Sequence, residues 1–99
     1  MNKHVILLSI IAVLFWSCSS SVVVSELTPE EHLKYAINLY DEEDYHEAVN
    51  EFESILLQYA GSSLIDDAQY YVGLTRYKRE EYIIAAYEFS KLIKNMQRL

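Results

Sequence analysis

One pattern of residues occurs twice in this chain, 37 positions apart. Tyr40, Tyr45, Ala48 and Phe52 return as Tyr77, Tyr82, Ala85 and Phe89. The surrounding character is kept as well: Ala36 aligns with Gly73, Ile37 with Leu74, Ile55 with Leu92 and Leu56 with Ile93. A fixed period of this length marks a stack of helical hairpins, each hiding its apolar face against the next. The expectation is an all-α fold of two antiparallel helix hairpins. Stacks of this kind present an extended surface to other polypeptides, so the function is read as recognition and not as chemistry.

Local signals place the helices. Thr28-Pro29-Glu30-Glu31 is a helix start, with threonine to cap, proline for the first helical position and Glu31 where a capping box needs its carboxylate. Leu33, Ala36, Ile37 and Tyr40 then share one helical face. Asp41 to Asp44 interrupts the stripe, and Asp44 with Glu47 reads as a second capping box. The helix it opens carries Tyr45, Ala48, Val49, Phe52, Ile55, Leu56 and Tyr59 on its apolar face. So short a turn makes the two helices antiparallel. Gly61 suits a left-handed cap, and Ser62 or Ser63 can cap the next helix. The second hairpin repeats the scheme with Tyr70, Gly73, Leu74 and Tyr77, a turn at Arg79-Glu80-Glu81, then Tyr82, Ala85, Ala86, Phe89, Leu92, Ile93 and Met96. Small residues at Ala36, Gly73, Ala48 and Ala85 let paired helices approach while Phe52 and Phe89 fill the space between. Residues 29–62 and 63–99 are the two expected repeats.

The N-terminus has a different character. Met1 to His4 is short and basic, and Val5–Trp16 is a 12-residue apolar run. A stable transmembrane helix needs roughly 20 residues, whereas this run has the size of a secretory h-region. The single cysteine, Cys18, follows directly, between Ser17 and Ser19. A lone cysteine excludes an intramolecular disulfide framework. A small residue before a cysteine at the end of an h-region resembles a bacterial lipoprotein signal. That resemblance implies cleavage after residue 17 and acylation of Cys18, although Phe15 and Trp16 stand where an aliphatic and a small residue are usual. An uncleaved signal anchor or a free thiol are the competing readings. Residues 18–28 then form a tether from lipid to domain.

The full chain has 8 basic and 15 acidic residues. Without a basic cluster, this balance argues against nucleic acid. The charge is polarised: Glu26–Asp67 holds twelve acidic residues and one basic, whereas Arg76–Arg98 holds six basic and three acidic. Either the repeats attract one another, or the basic end meets an acidic partner, or solvated faces simply differ.

The repeated residues resemble the tetratricopeptide repeat. That family places a small residue in the first helix, then an aromatic, alanine and phenylalanine in the second. Here these are Ala36, Tyr45, Ala48 and Phe52, then Gly73, Tyr82, Ala85 and Phe89. The period of 37 exceeds the usual length of about 34. His32 or Gln69 stands at the usual tryptophan, and Ala60 or Gln97 at the usual proline. The signal ending in cysteine, Asp44-Tyr45-His46-Glu47-Ala48, Tyr59-Ala60-Gly61-Ser62-Ser63 and Asp67-Ala68-Gln69-Tyr70-Tyr71 are similar to the N-terminal part of BamD-type outer-membrane assembly lipoproteins. The resemblance spans residues 18 to 96. It implies a right-handed solenoid, anchored by lipid in the outer membrane and facing the periplasm. Its role would be that of a non-enzymatic scaffolding subunit of the machinery that inserts β-barrel proteins. The implied partners are the barrel assembly subunits and unfolded outer-membrane protein segments. The runner-up is another exported repeat protein that coordinates envelope or cell-wall machinery.

The family carries more repeats than the two seen here, and the last helix, with Leu92, Ile93 and Met96, has no polar cap behind it. A shortened reading frame, without independent function, and a partner covering the open end are both consistent with this.

No phosphate loop, nucleophile elbow or histidine-zinc spacing is present, so no catalytic residue, metal ligand or cofactor is expected. His46 beside Asp44 and Glu47 reads as a capped helix start rather than a metal site. The resemblance places peptide binding on the inner face of the first helices, here Leu33, Ile37, Tyr40, Tyr70, Leu74 and Tyr77. Leu33, Ile37 and Leu74 are equally explained as core. Tyr35, Tyr71 and Tyr87, beside the stripes, are candidates for packing between repeats.

Overall fold

The computed structural model describes residues 23–98. The signal segment 1–17, Cys18 and the first part of the tether lie outside the described residues. Among the described residues there are four α-helices and no strand. None of these helices is long and apolar enough to cross a membrane. The helices are α1 (Pro29–Asp41), α2 (Tyr45–Gln58), α3 (Leu64–Lys78) and α4 (Tyr82–Gln97). A single 3-10 turn, Val24–Glu26, precedes them.

The helices form two hairpins. His32, early in α1, meets Tyr59 just past the end of α2, while Tyr40, late in α1, meets Tyr45 at the start of α2; the pair is antiparallel. Helix α3 packs along α2 and also reaches α1, and α4 packs on α3. Where the hairpins meet, Tyr71 of α3 lies flat on Phe52 of α2, with ring centroids 5.1 Å apart and an interplanar angle of 12°.

The turns inside the hairpins repeat in detail. Asp44 donates its backbone N–H to Leu39 at 2.8 Å and Glu43 to Tyr40 at 3.0 Å; Glu81 donates to Arg76 at 3.0 Å and Glu80 to Tyr77 at 2.9 Å. These paired bonds close a Schellman motif at each corner. The motif needs a left-handed residue, supplied by Glu43 (φ 62°) and Glu80 (φ 63°).

The capping box at Thr28 and Glu31 forms, with both reciprocal bonds present. The expected second box does not: Asp44 makes no side-chain cap bond to α2. Thr28 enters its helix with ψ 161°, which sets the side chain over the first turn. Asp44 leaves the Schellman turn at ψ 64°, and Glu81 at ψ 63° likewise makes no cap bond. Gly61 takes the left-handed conformation expected of it, φ 88°. The Ser62 hydroxyl then accepts the Leu64 N–H at 3.2 Å.

The core lies in the first hairpin and its junction with α3. Ala36, Ala48, Phe52, Ile55, Ala68 and Val72 are fully enclosed. Gly73 belongs to this scheme through space and not through backbone freedom. A Cβ there would stand 2.6 Å from the Phe89 ring, closer than carbon atoms pack.

Candidate docking surface

Tyrosines gather where α1 and α3 lie side by side. Tyr40 meets Tyr45 at 5.6 Å between ring centroids and Tyr71 at 5.5 Å, edge on. Tyr71 in turn holds Tyr70 at 5.7 Å, and Tyr70 reaches Phe89 at 6.1 Å. Seven positions beyond Tyr70, on the same helical face, Tyr77 packs against Tyr82 at 5.4 Å and 62°. This pair matches the 59° of Tyr40 and Tyr45. Such tilted and edge-to-face contacts are the favoured aromatic geometries, and they fix each ring without covering it.

The six expected binding residues divide by burial. Leu33 is 8 % exposed and belongs to the core. Ile37 and Leu74 are half-buried, Ile37 packing on the core. Tyr40 is half-buried within the cluster. Tyr70 and Tyr77 are 46 % and 53 % exposed. Accessible aromatic surface on this face is therefore concentrated in the tyrosines. Of the three packing candidates, Tyr35 and Tyr71 lie against the core. Tyr87 is 59 % exposed, with the Lys91 ammonium 4.5 Å from its ring centroid, so it joins no second repeat.

Electrostatics follow from this packing. The Tyr40 phenol is pushed above its ordinary value of 10.0, first by burial and then by Tyr45, Tyr70, Tyr71 and Asp41. Burial also raises Tyr35, followed by Glu51, Glu47, Asp44 and Glu42. At the rim, the Arg76 guanidinium donates to Glu53 of α2 at 3.0 Å and to Glu81 at 2.9 Å. Burial disfavours its charge, but those two carboxylates outweigh it and its pKa rises. Its Nε is buried without a partner.

Two buried polar pairs are missed by reading the sequence alone. His32, fully enclosed, sits 2.6 Å from Glu51. Gln69 donates to the Glu88 carboxylate at 2.7 Å and to its backbone oxygen at 3.0 Å. Both pairs span 19 residues and are themselves 37 apart. The alignment of Glu51 with Glu88 is the signal that could have found them. Each pair joins the two helices of a hairpin. Among the described residues no three His, Cys, Asp or Glu side chains are grouped to hold a metal ion.

Comparison with protein-family models, curated proteins and solved structures gave no match. The tyrosine face is an array of pre-oriented, hydroxyl-bearing rings, of which Tyr70 and Tyr77 are open to a partner. Two surface hollows are also present, the first reaching Tyr82 of this face. One, of about 500 Å³, is lined by Glu80 to Ile84. The other, of about 350 Å³, is lined by Glu53, Leu56, Leu57, Glu88 and Lys91.

Proposed function

We propose that this chain is a tetratricopeptide-type scaffold that docks extended polypeptide segments on the tyrosine face of α1 and α3. In this reading the two hairpins are consecutive turns of a right-handed solenoid. The protein is attached by lipid at Cys18, faces the periplasm, and serves as an assembly subunit of the outer-membrane β-barrel insertion machinery. Its partners are the barrel assembly subunits and unfolded outer-membrane protein segments.

The observation that carries the docking role is the exposure of Tyr70 and Tyr77 at 46 % and 53 %, with their rings already held by neighbours. A fixed aromatic ring loses little rotamer freedom on binding, so its buried area converts to affinity efficiently. The hydroxyl supplies a hydrogen bond to a peptide backbone. The membrane role rests on the N-terminal sequence pattern and the family resemblance.

Titrating the protein with fluorescent peptides taken from unfolded outer-membrane β-strands tests the first part. Tyr70→Ala and Tyr77→Ala are each expected to weaken binding about tenfold with the helical circular dichroism unchanged. Affinity insensitive to both substitutions refutes the tyrosine face. Affinity purification from membranes tests the second part: barrel assembly subunits are the expected companions, and recovery of cell-wall enzymes alone refutes it. Labelling with a palmitate analogue that survives Cys18→Ala refutes the lipid anchor.

A further inference from the structure

Helix α2 carries a seam, Tyr45, Val49, Phe52, Leu56 and Tyr59, whose steps alternate between four and three residues. Helix α3 covers it: Val49 is 2 % exposed and Phe52 fully buried. Helix α4 carries the same seam 37 residues later, as Tyr82, Ala86, Phe89, Ile93 and Met96. Among the described residues only α3 packs against it, through Tyr77 on Tyr82 and Tyr70 on Phe89. Tyr82, Ile93 and Met96 are 56 %, 55 % and 60 % exposed, and Phe89 is half-buried where Phe52 is enclosed. The other outer face of the described stack has a different character. Where α3 offers Ala68 and Tyr71 to its neighbour, the matching residues of α1 are Glu31 and Lys34, both exposed. A polar outer face closes a repeat stack; an apolar one needs a companion.

We infer that this companion is a second copy of the chain, with the two α4 helices packed antiparallel about a twofold axis at Phe89. The four-three spacing is the repeat by which helices interlock side chains, and the alternation continues when the helix is reversed. Antiparallel pairing about Phe89 sets Ala86 of one copy against Leu92 of the other, small against large. It also sets Tyr82 against Met96, a favourable sulfur–aromatic contact. Charge supports the same direction. Glu80 and Glu81 precede α4, Glu81 already paired with Arg76 and Arg79, whereas Lys94 lies in its last turn and Arg98 follows. Antiparallel copies place Glu80 opposite Arg98 twice, and oppose the helix dipoles favourably. A parallel pair sets like charges together. A head-to-tail stack presses Ile93 onto Glu31 and Lys34 and grows without closing. This inference is independent of the peptide-docking role, since the dimer is measured with no peptide present.

The test uses the full chain with Cys18→Ser in a mild non-ionic detergent, with mass read by sedimentation and light scattering. A dimer is expected in the micromolar range, saturating at two. Ser90→Cys, beside the axis, is expected to give a covalent dimer with a short bismaleimide, whereas Glu43→Cys, at the far corner, gives none. Ile93→Glu and Met96→Glu each raise the dissociation constant about tenfold or more. Glu80→Arg weakens association several-fold, and adding Arg98→Glu restores it. Each variant is checked for unchanged helicity. A monomer at about 100 micromolar, well above such a constant, overturns the inference. So does a dimer indifferent to both seam substitutions, which assigns association to another segment, or growth beyond two copies.

Discussion

The amide nitrogen of Gln69 lies 2.7 Å from the carboxylate of Glu88, and both residues are buried. The first hairpin sets His32 against Glu51 at the corresponding place, 2.6 Å apart. Each hairpin is therefore pinned at the same place by a polar contact between its two helices. A buried donor or acceptor is costly when left alone, far more than the bond is worth when made. The contact consequently fixes the register of the two helices while adding modestly to stability.

Removing one partner exposes that asymmetry. Gln69→Leu leaves the Glu88 carboxylate only its longer contact with Lys91 at 3.4 Å and is expected to destabilise the fold by about 1–3 kcal/mol. Gln69→Leu combined with Glu88→Leu recovers much of that loss, since a hydrophobic pair often replaces a buried polar one at little cost. Urea unfolding followed by circular dichroism reads both. Equal losses in the single and double variants contradict the account.

Gly73 makes a second prediction. Alanine is favoured over glycine inside a helix by about 1 kcal/mol, yet the added Cβ would stand 2.6 Å from the Phe89 ring. Overpacking of this kind costs about 1–3 kcal/mol, so Gly73→Ala is expected to destabilise on balance. In a Phe89→Leu background the clash is relieved and the same change turns neutral or stabilising. A double-mutant cycle measures the coupling. Additive effects reject the contact as the reason for glycine.

Three helices are legible from a strong periodic stripe; in α3 the stripe is weak, and the 37-residue repeat places it, while the pairing comes from turns too short for anything but antiparallel neighbours. Contacts between helices decide the rest. His32 and Gln69 look like surface polar residues in isolation; only their alignment with Glu51 and Glu88 reveals them as inward-facing. Leu33 shares a helical face with the tyrosines, but it falls where α2 crosses and so is buried. Asp44 has the residue type of a cap, but the Schellman turn before it sets a backbone angle that withholds the side chain. That turn carries no signal either, since glutamate occupies a place where glycine is usual.

The glutamates at these corners are themselves open to test. Glu43 and Glu80 hold φ values of 62° and 63°, a conformation costing an ordinary residue roughly 1–2 kcal/mol. Glu43→Gly and Glu80→Gly are each expected to stabilise by about 0.5–1 kcal/mol, the relief of strain exceeding glycine's entropy cost. Glu43→Ala, which keeps the Cβ, brings no gain. Thermal melts of the three variants separate strain from charge, because alanine and glycine remove the same carboxylate. A gain shared by alanine assigns the effect to charge instead.

Tyr40 gives a pH dependence whose sign is fixed. Its folded-state pKa lies above the unfolded value of 10.0, first through burial and then through Tyr45, Tyr70, Tyr71 and Asp41. The native state therefore holds the phenolic proton where the unfolded chain has begun to release it. Stability from this group is fully present below pH 10.0. It falls as pH rises toward the folded-state value, because the native state then binds more protons than the unfolded one. Tyr35, raised by burial and the carboxylates around it, acts in the same direction. The melting temperature is expected to decline above pH 10, and Tyr40→Phe, with no proton to lose, flattens the decline. Burial of Tyr40 is the main source, so the flattening persists in high salt, which screens only the weaker contributions of Tyr45, Tyr70, Tyr71 and Asp41. A Tyr40→Phe protein whose melting temperature falls as steeply as the parent's removes Tyr40 from the account.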